Sequence, residues 1–238
     1  QEQSDPALRE LLRDLLVNQS FRRDVYSRGL DPLWPQEAEA ALLDLQLIRL
    51  VDEDQLHQPG LFNVSVSFGT VQGNQAWFAS LLQAMGTAPW RLGELQRLSG
   101  VSPTPLPELL QNLALLLSKG LVALVGPAVD PGPAQTLNRV LARKVRCGAP
   151  YHSLAMPAIA GALRLGELDL LCLEAWLRGE RGQGLVTALQ EALLDLRREI
   201  RRDGRAVPQA EQPSFLQQQA GMFELRLLPL LQRLGAVA

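Results

Sequence analysis

The sequence has few residues of the types that build disulfide frameworks or metal sites. Among its 238 residues there are only two cysteines, Cys147 and Cys172, and two histidines, His57 and His152. Two cysteines in a chain of this length do not form a disulfide framework, and both are expected to be small apolar residues of the core. A metal site needs three or four converging ligands, and these residues have no such spacing. No metal site is therefore predicted.

Aromatic residues and lysines are also scarce. Aromatics make up 5% of the chain, whereas apolar residues make up 47% and are mostly Leu, Ala and Val. This composition favours packed helices over sheets, because unbranched side chains lose little freedom in a helix while strands prefer branched and aromatic ones. Lysine occurs only at positions 119 and 144, and the net charge is −2. Electrostatics alone therefore imply no acidic partner.

Long apolar runs are absent. No run reaches the ~18 residues that a membrane span needs, and the polar, acidic first residues do not have the pattern of a signal peptide. We therefore expect a cytoplasmic protein without a membrane span. The first residue is not Met, which indicates a piece of a longer protein or a processed chain.

What the sequence does contain is strong helical periodicity. Asn74 is a suitable N-cap for a helix, residues 90–98 form a short helical pattern, and a further helix is predicted over residues 106–118. A strand is predicted at 121–125. This order of elements is typical of a winged helix-turn-helix.

The remaining segments predict further helices and one earlier strand. The alternating pattern of residues 61–68 indicates a strand, and residues 151–165 are ambiguous. Later helices are expected at 134–146, 166–178, 185–200 and 214–234, the last with a kink at Pro229. The predicted fold class is mainly α with small β elements (α+β). The predicted domains are a helical domain at 1–72, a winged-helix-like domain at 73–128 and a helical domain at 129–238, for which a second winged helix is one interpretation.

One basic cluster stands out near the end of the helix expected at 185–200. Continuing that helix would place its arginines on adjacent rows, with acidic residues interleaved. This surface could be an anion or RNA patch, or simply a solvated helix face. Its members are Arg197, Arg198, Arg201, Arg202 and Arg205.

Two other strings are weak candidates for chemistry. The glycine-rich residues 179–184 follow a helix rather than a strand, so they lack the context of a nucleotide-binding turn. The acidic run Asp52-Glu53-Asp54 has no apolar surroundings in the sequence, which favours a solvated turn. We predict no catalytic, cofactor-binding or metal-binding residue in this chain.

Two strings resemble motifs of a single family. Residues 15–25, L-L-V-N-Q-S-F-R-R-D-V, resemble the signature F-L-x-N-R-x-F-R-x-[ST]-L of the methyltransferase regulatory domain family, matching at Asn18, Phe21 and Arg22. Gln19 replaces the usual Arg, and Asp24-Val25 replaces Ser/Thr-Leu. Residues 228–235, L-P-L-L-Q-R-L-G, resemble the closing L-P-x-L-x-R-L-G helix of that family. The two strings lie near the two ends of the chain, and the resemblance implies that residues 1–72 are a methyltransferase-regulatory-like domain.

The resemblance implies a region that follows an S-adenosylmethionine-dependent catalytic domain, as in proteins similar to bacterial protein-lysine methyltransferases. The expected role is regulatory and substrate-protein-binding, with the catalytic domain outside this chain and S-adenosylmethionine bound there. The expected partners are that domain and a protein substrate. Asn18, Phe21 and Arg22 would either bond neighbouring segments or contact the catalytic domain or substrate. The chain alone is not expected to catalyse.

Two alternative functions remain open at this point. The winged-helix order would suit a DNA-binding transcription regulator, but its candidate recognition helix has a single cation, Lys119, at its end. DNA affinity needs several phosphate-neutralising cations, so nucleic acid is not the expected partner. The other alternative is a helical scaffold for protein interactions.

Overall fold

The computed structural model describes residues 34–66, 69–98, 104–202 and 205–238. The helices are α1 (Pro35–Asp44), α2 (Gln75–Met85), α3 (Leu92–Leu95), α4 (Leu106–Ser118), α5 (Gly132–Arg146), α6 (Glu167–Leu177), α7 (Gln183–Asp195), α8 (Gln212–Met222) and α9 (Leu228–Arg233). The strands are β1 (Gln46–Arg49), β2 (Asn63–Val66), β3 (Gly69–Gln72), β4 (Trp90–Arg91), β5 (Val122–Leu124), β6 (Ser153–Met156), β7 (Gly161–Arg164), β8 (Arg201–Arg202) and β9 (Arg205–Ala206). The expected fold class, mainly α with small β elements (α+β), is confirmed. Residues 40–238 form one compact unit, which contains β1 to α9.

The predicted order of elements in the middle of the chain is present. Helix α2 begins at Asn74, whose side-chain oxygen accepts a hydrogen bond from the Trp77 backbone N–H at 3.2 Å. Helix α4 has the predicted bounds, and Gly120 just beyond it has the positive φ of 67° that glycine adopts without strain. Strand β5 follows as expected.

Strand β1 is the central strand of an antiparallel sheet with the order β4-β1-β5. Successive side chains of a strand point to opposite faces. Leu47 accordingly packs into the amino-terminal core, the buried apolar residues between Leu47 and Val122, whereas Ile48 packs into the carboxy-terminal core, which otherwise extends from Ala142 to Val237. The sheet joins segments on both sides of residue 72, where the first predicted domain ends. The predicted domain boundaries themselves stay predictions.

The ambiguous segment 151–165 contains a hairpin that is fastened to α5. Strands β6 and β7 pair antiparallel. The fully buried Asn138 of α5 donates hydrogen bonds from Nδ2 to the carbonyls of Ala155 and Ala236, at 2.8 and 2.9 Å, and accepts one from the Ala155 N–H at 2.8 Å. One side chain therefore links a helix, a hairpin and the segment after α9.

The helix predicted at 185–200 is present as α7, but its predicted end is wrong, because α7 ends at Asp195. The Arg197 N–H donates to the Leu194 carbonyl and the Arg198 N–H to the Leu193 carbonyl, at 3.0 and 2.9 Å. This pair of bonds is the Schellman ending of a helix. Arg197 takes the left-handed conformation, with φ 50°, that usually belongs to glycine. Apolar periodicity through Ile200 therefore reflects burial beyond the end of the helix, not its continuation.

The predicted final helix is one helical run whose hydrogen bonding changes before Pro229. Helix α8 passes into a π-helical segment, Phe223–Leu227, and then into α9. Proline has no N–H, so the carbonyl four residues earlier loses its α-helical donor. The wider π turn lies just before Pro229, which is where such a change in hydrogen bonding is expected.

Candidate functional site: an arginine-lined groove

A cleft of about 700 Å³ lies between the start of α6, the end of α7, the hairpin β8–β9 and α8. We call it the arginine groove. Four of the five arginines predicted as an anion patch line it: Arg197, Arg198, Arg201 and Arg202. The fifth, Arg205, lines an adjoining cleft of about 390 Å³ that shares Arg202 with the groove. The structure thus brings the predicted cluster together, while its role as an anion site stays a prediction.

The geometry of this cluster differs from the helical rows expected from the sequence. Arg197 and Arg198 follow the end of α7, Arg201 and Arg202 form β8, and Arg205 begins β9, with Arg202 and Arg205 paired across the hairpin. Positions 203 and 204 are Asp-Gly, which is a strong sequence signal for a two-residue hairpin connection. That signal was available in the sequence and argues against continuing the helix as far as Arg205.

Acidic side chains neutralise only part of this positive charge. Arg198 Nε lies 3.4 Å from a Glu167 carboxylate oxygen, and Arg201 Nη2 lies 2.8 Å from one of Glu199. Among the described residues, Arg197, Arg202 and Arg205 have no ion-pair partner. Counting every charged residue that lines the groove and its adjoining cleft, five arginines outnumber four carboxylates by one: the carboxylates are Glu167, Asp169, Glu199 and Glu211.

An aromatic ring holds one of these arginines in place. The guanidinium carbon of Arg202 lies 4.8 Å from the ring centroid of Phe215, on α8. Stacking on an aromatic face is a favourable arrangement for a guanidinium group. This contact restrains the guanidinium group of Arg202 beside the groove.

Asp169, in the first turn of α6, also lines the groove. Burial raises the pKa of its carboxyl group, while the hydrogen bond from the Gly166 N–H, at 3.2 Å, acts in the opposite direction. Sequence reasoning missed Asp169, Glu167 and Phe215 as groove residues. An acidic first turn after Gly166 could have located the start of α6, but no local signal places it beside β8.

The arginine groove continues into an apolar cleft of about 410 Å³, which we call the leucine cleft. Both are lined by Leu193, Arg198, Glu199 and Ile200. Further apolar lining comes from Leu194 and Leu216, and three amide side chains complete the wall: Gln190, Gln209 and Gln212. The combined surface therefore has most of its charged residues in the arginine groove and further apolar and amide residues in the leucine cleft.

The other residues considered from the sequence have structural surroundings. Cys172 is buried in the carboxy-terminal core, and burial raises the pKa of its thiol to about 12. Cys147 is exposed. In the acidic run, Glu53 accepts a hydrogen bond from Gln83, and Asp54 pairs with Arg226 of the π segment. Of the glycine-rich residues 179–184, the first four lie between α6 and α7 and the last two begin α7.

Among the described residues, no group of three or more His, Cys, Asp or Glu side chains is arranged to hold a metal ion. None of the helices in that part of the chain combines the length and apolar character needed to cross a membrane.

The two strings that resemble the regulatory domain family differ in what the structure shows of them. Asn18, Phe21 and Arg22 lie outside the described residues. The closing string forms α9, where Leu231 and Leu234 are fully buried and Arg233 Nη2 donates to the Arg49 carbonyl of β1 at 2.8 Å. Burial, reinforced by the nearby Arg49 charge, lowers the pKa of Arg233. The arginine of this string therefore ties the last helix to the central sheet.

Comparison with known proteins gives one relative. No protein-family model matches the chain, and no solved structure matches it. The chain is similar to an uncharacterized protein, sll1526, of Synechocystis sp., with 28% identity over 240 residues. The match covers 98% of this chain and 46% of that protein, so the chain spans about half the length of the curated relative it matches.

Proposed function

We propose that this chain is the non-catalytic regulatory and substrate-protein-binding region of an S-adenosylmethionine-dependent methyltransferase. The catalytic domain, which would bind S-adenosylmethionine, lies outside this chain, and the protein acts in the cytoplasm. The observation that carries the proposal is the resemblance of residues 15–25 and 228–235 to motifs of the methyltransferase regulatory domain family.

Three further observations support this function. The second string forms a buried helix whose Arg233 bonds the central strand, which gives a physical reason for an arginine at that position. The relative is about twice as long as the matched segment, so it has room for a further domain. The groove, with its arginines and its apolar extension, is suited to binding another protein.

The test uses the full-length native polypeptide that contains this chain. An antibody raised to the chain would first identify its size in source cells. The purified protein is then assayed for transfer of labelled methyl groups from S-adenosylmethionine to proteins of the same cells. We expect methyl transfer, and we expect Arg22→Ala to reduce it or to raise the KM for the acceptor.

Arg23 provides a matched control for Arg22. The family signature leaves the position of Arg23 unspecified, so Arg23→Ala should leave methyl transfer unchanged while removing the same charge. Equal effects of the two substitutions, or no methyl transfer by the full-length protein, would contradict the proposal.

Because the order of elements is typical of a winged helix, DNA binding is the alternative function to be tested. The exposed residues of α4 include Glu108, Gln111 and Ala114, and its one nearby cation, Lys119, lies after its end. Phosphate contacts dominate DNA affinity, so this surface does not favour a duplex. A salt-dependent shift of duplex DNA by the purified chain would instead favour a transcription regulator, and a full-length protein with neither activity would favour a scaffold.

A further inference from the structure

The arginine groove and the leucine cleft form one continuous surface, because four residues line both of them. Its charged end has Arg197 and Arg202 without an ion-pair partner among the described residues, and Arg205 adjoins it. Its apolar end has Leu194, whose side chain is 76% exposed. A large exposed apolar side chain beside unneutralised arginines is a combination that a bound partner would cover favourably.

Arg197 adds an independent observation. It holds a left-handed backbone conformation at the end of α7, where glycine is the usual residue. That conformation is unfavourable for an L-residue with a side chain, and strained residues of this kind cluster at functional sites. Glycine would relieve this strain, but it would lack the guanidinium group that lines the groove at this position.

We propose that this continuous surface binds an extended segment of a partner protein in which carboxylates lie next to an apolar side chain. The carboxylates would pair with Arg197 and Arg202, and the apolar side chain would cover the exposed Leu194. The guanidinium of Arg202 is already oriented by Phe215, so it presents its donors at a small entropic cost. The glutamines of the leucine cleft can bond the backbone of the segment.

Charge complementarity favours an acidic peptide over a nucleic acid. The net charge of the whole chain is −2, but Arg197 and Arg202 line the groove without an ion-pair partner among the described residues, while Arg198 and Arg201 are paired with Glu167 and Glu199. These two arginines suit one or two carboxylates. A nucleic-acid strand would need a longer series of cations. The apolar wall also has no counterpart in a phosphate backbone.

This inference rests on the proposed function, for which it names the chemistry of the partner segment. Its test measures binding alone. The probe is a fluorescein-labelled peptide of alternating Glu and Leu, compared with an analogue in which Gln replaces each Glu, and with a labelled single-stranded oligonucleotide. Fluorescence anisotropy of the intact chain should show binding of the acidic peptide, with much weaker binding of the other two probes.

Variants of the groove identify where the peptide binds. Arg197→Gln and Arg202→Gln should each lower the affinity for the acidic peptide by roughly tenfold, since each removes a charge-assisted contact. Arg143→Gln, on the exposed face of α5, removes the same charge elsewhere and should change nothing. Leu194→Ser tests the apolar end at an exposed position that folding does not require, and it should also weaken binding.

Three results would overturn the inference: equal affinity for the acidic peptide and its amide analogue, tighter binding of the oligonucleotide, or no difference between the groove variants and Arg143→Gln. Failure here with methyl transfer by the full-length protein would remove only the peptide site. Peptide binding without methyl transfer would support the site and remove the proposed function.

Discussion

Asn138 is the side chain on which the carboxy-terminal half of the molecule depends most directly. Its amide makes three buried hydrogen bonds, to Ala155 twice and to Ala236. Truncation would leave buried backbone groups unpaired, each at a cost of about 1–3 kcal/mol. We expect Asn138→Ala to lower the free energy of unfolding by about 3–5 kcal/mol in urea denaturation. Thr136→Ala, at an exposed position on the same helix, should cost no more than about 0.5 kcal/mol; similar costs would contradict this account.

Asp169 gives a prediction about pH. Burial raises the pKa of its carboxyl group in the folded state, so the folded protein binds that proton more tightly than the unfolded chain. Its contribution to stability therefore falls as pH rises from the ordinary aspartate pKa, about 3.9, through the raised folded value. Asp169→Asn keeps an oxygen that can accept from Gly166 and removes the charge. We expect the variant to be more stable than the original protein at neutral pH, and we expect this advantage to disappear at acidic pH. Thermal unfolding measured across pH tests this. An advantage that grows as the pH falls would contradict it.

At the scale of elements, the end of α7 can be tested through Arg197. Glycine adopts positive φ without strain, whereas an L-residue in this region loses about 1 kcal/mol. Arg197→Gly should therefore raise the free energy of unfolding by up to about 1 kcal/mol, while weakening binding of the acidic peptide. Arg198→Gly is the matched control, because Arg198 lacks the positive φ and pairs with Glu167. Glycine there should destabilise the protein, and stabilisation by both substitutions would show that backbone strain is not the cause.

The elements that the sequence predicts well are those with local signals. The cap at Asn74 and the glycine after α4 mark ends that depend only on neighbouring residues. Ile200 misled the prediction of α7, because its burial comes from tertiary packing rather than from helical phase. For the same reason the sequence identifies the arginines of the cluster but does not predict how they are arranged in the structure. Phe215 and Asp169 reach the groove through contacts between distant segments, which no local pattern encodes.

At the scale of the whole compact unit, residues 40–238, the two hydrophobic cores share one strand. The neighbouring side chains of Leu47 and Ile48 enter opposite cores. Ion pairing of Asp54 with Arg226 and the bond from Arg233 to the Arg49 carbonyl add polar links between the same two regions. Because β1 cannot leave one core without disturbing the other, the cores should lose structure together rather than as independent domains.

Adjacent substitutions in β1 test this cooperativity. Leu47→Ala and Ile48→Ala each remove a nearly fully buried side chain, at a cost of about 2–4 kcal/mol. Native-state hydrogen exchange would follow amide protection in α2 and α4 of one core and in α6 and α7 of the other. We expect either substitution to lower the protection of both cores to a similar extent, while Leu194→Ala, at an exposed site, lowers neither. If Leu47→Ala affected only α2 and α4, the two cores would open separately, and β1 would be a boundary between domains instead of their common element.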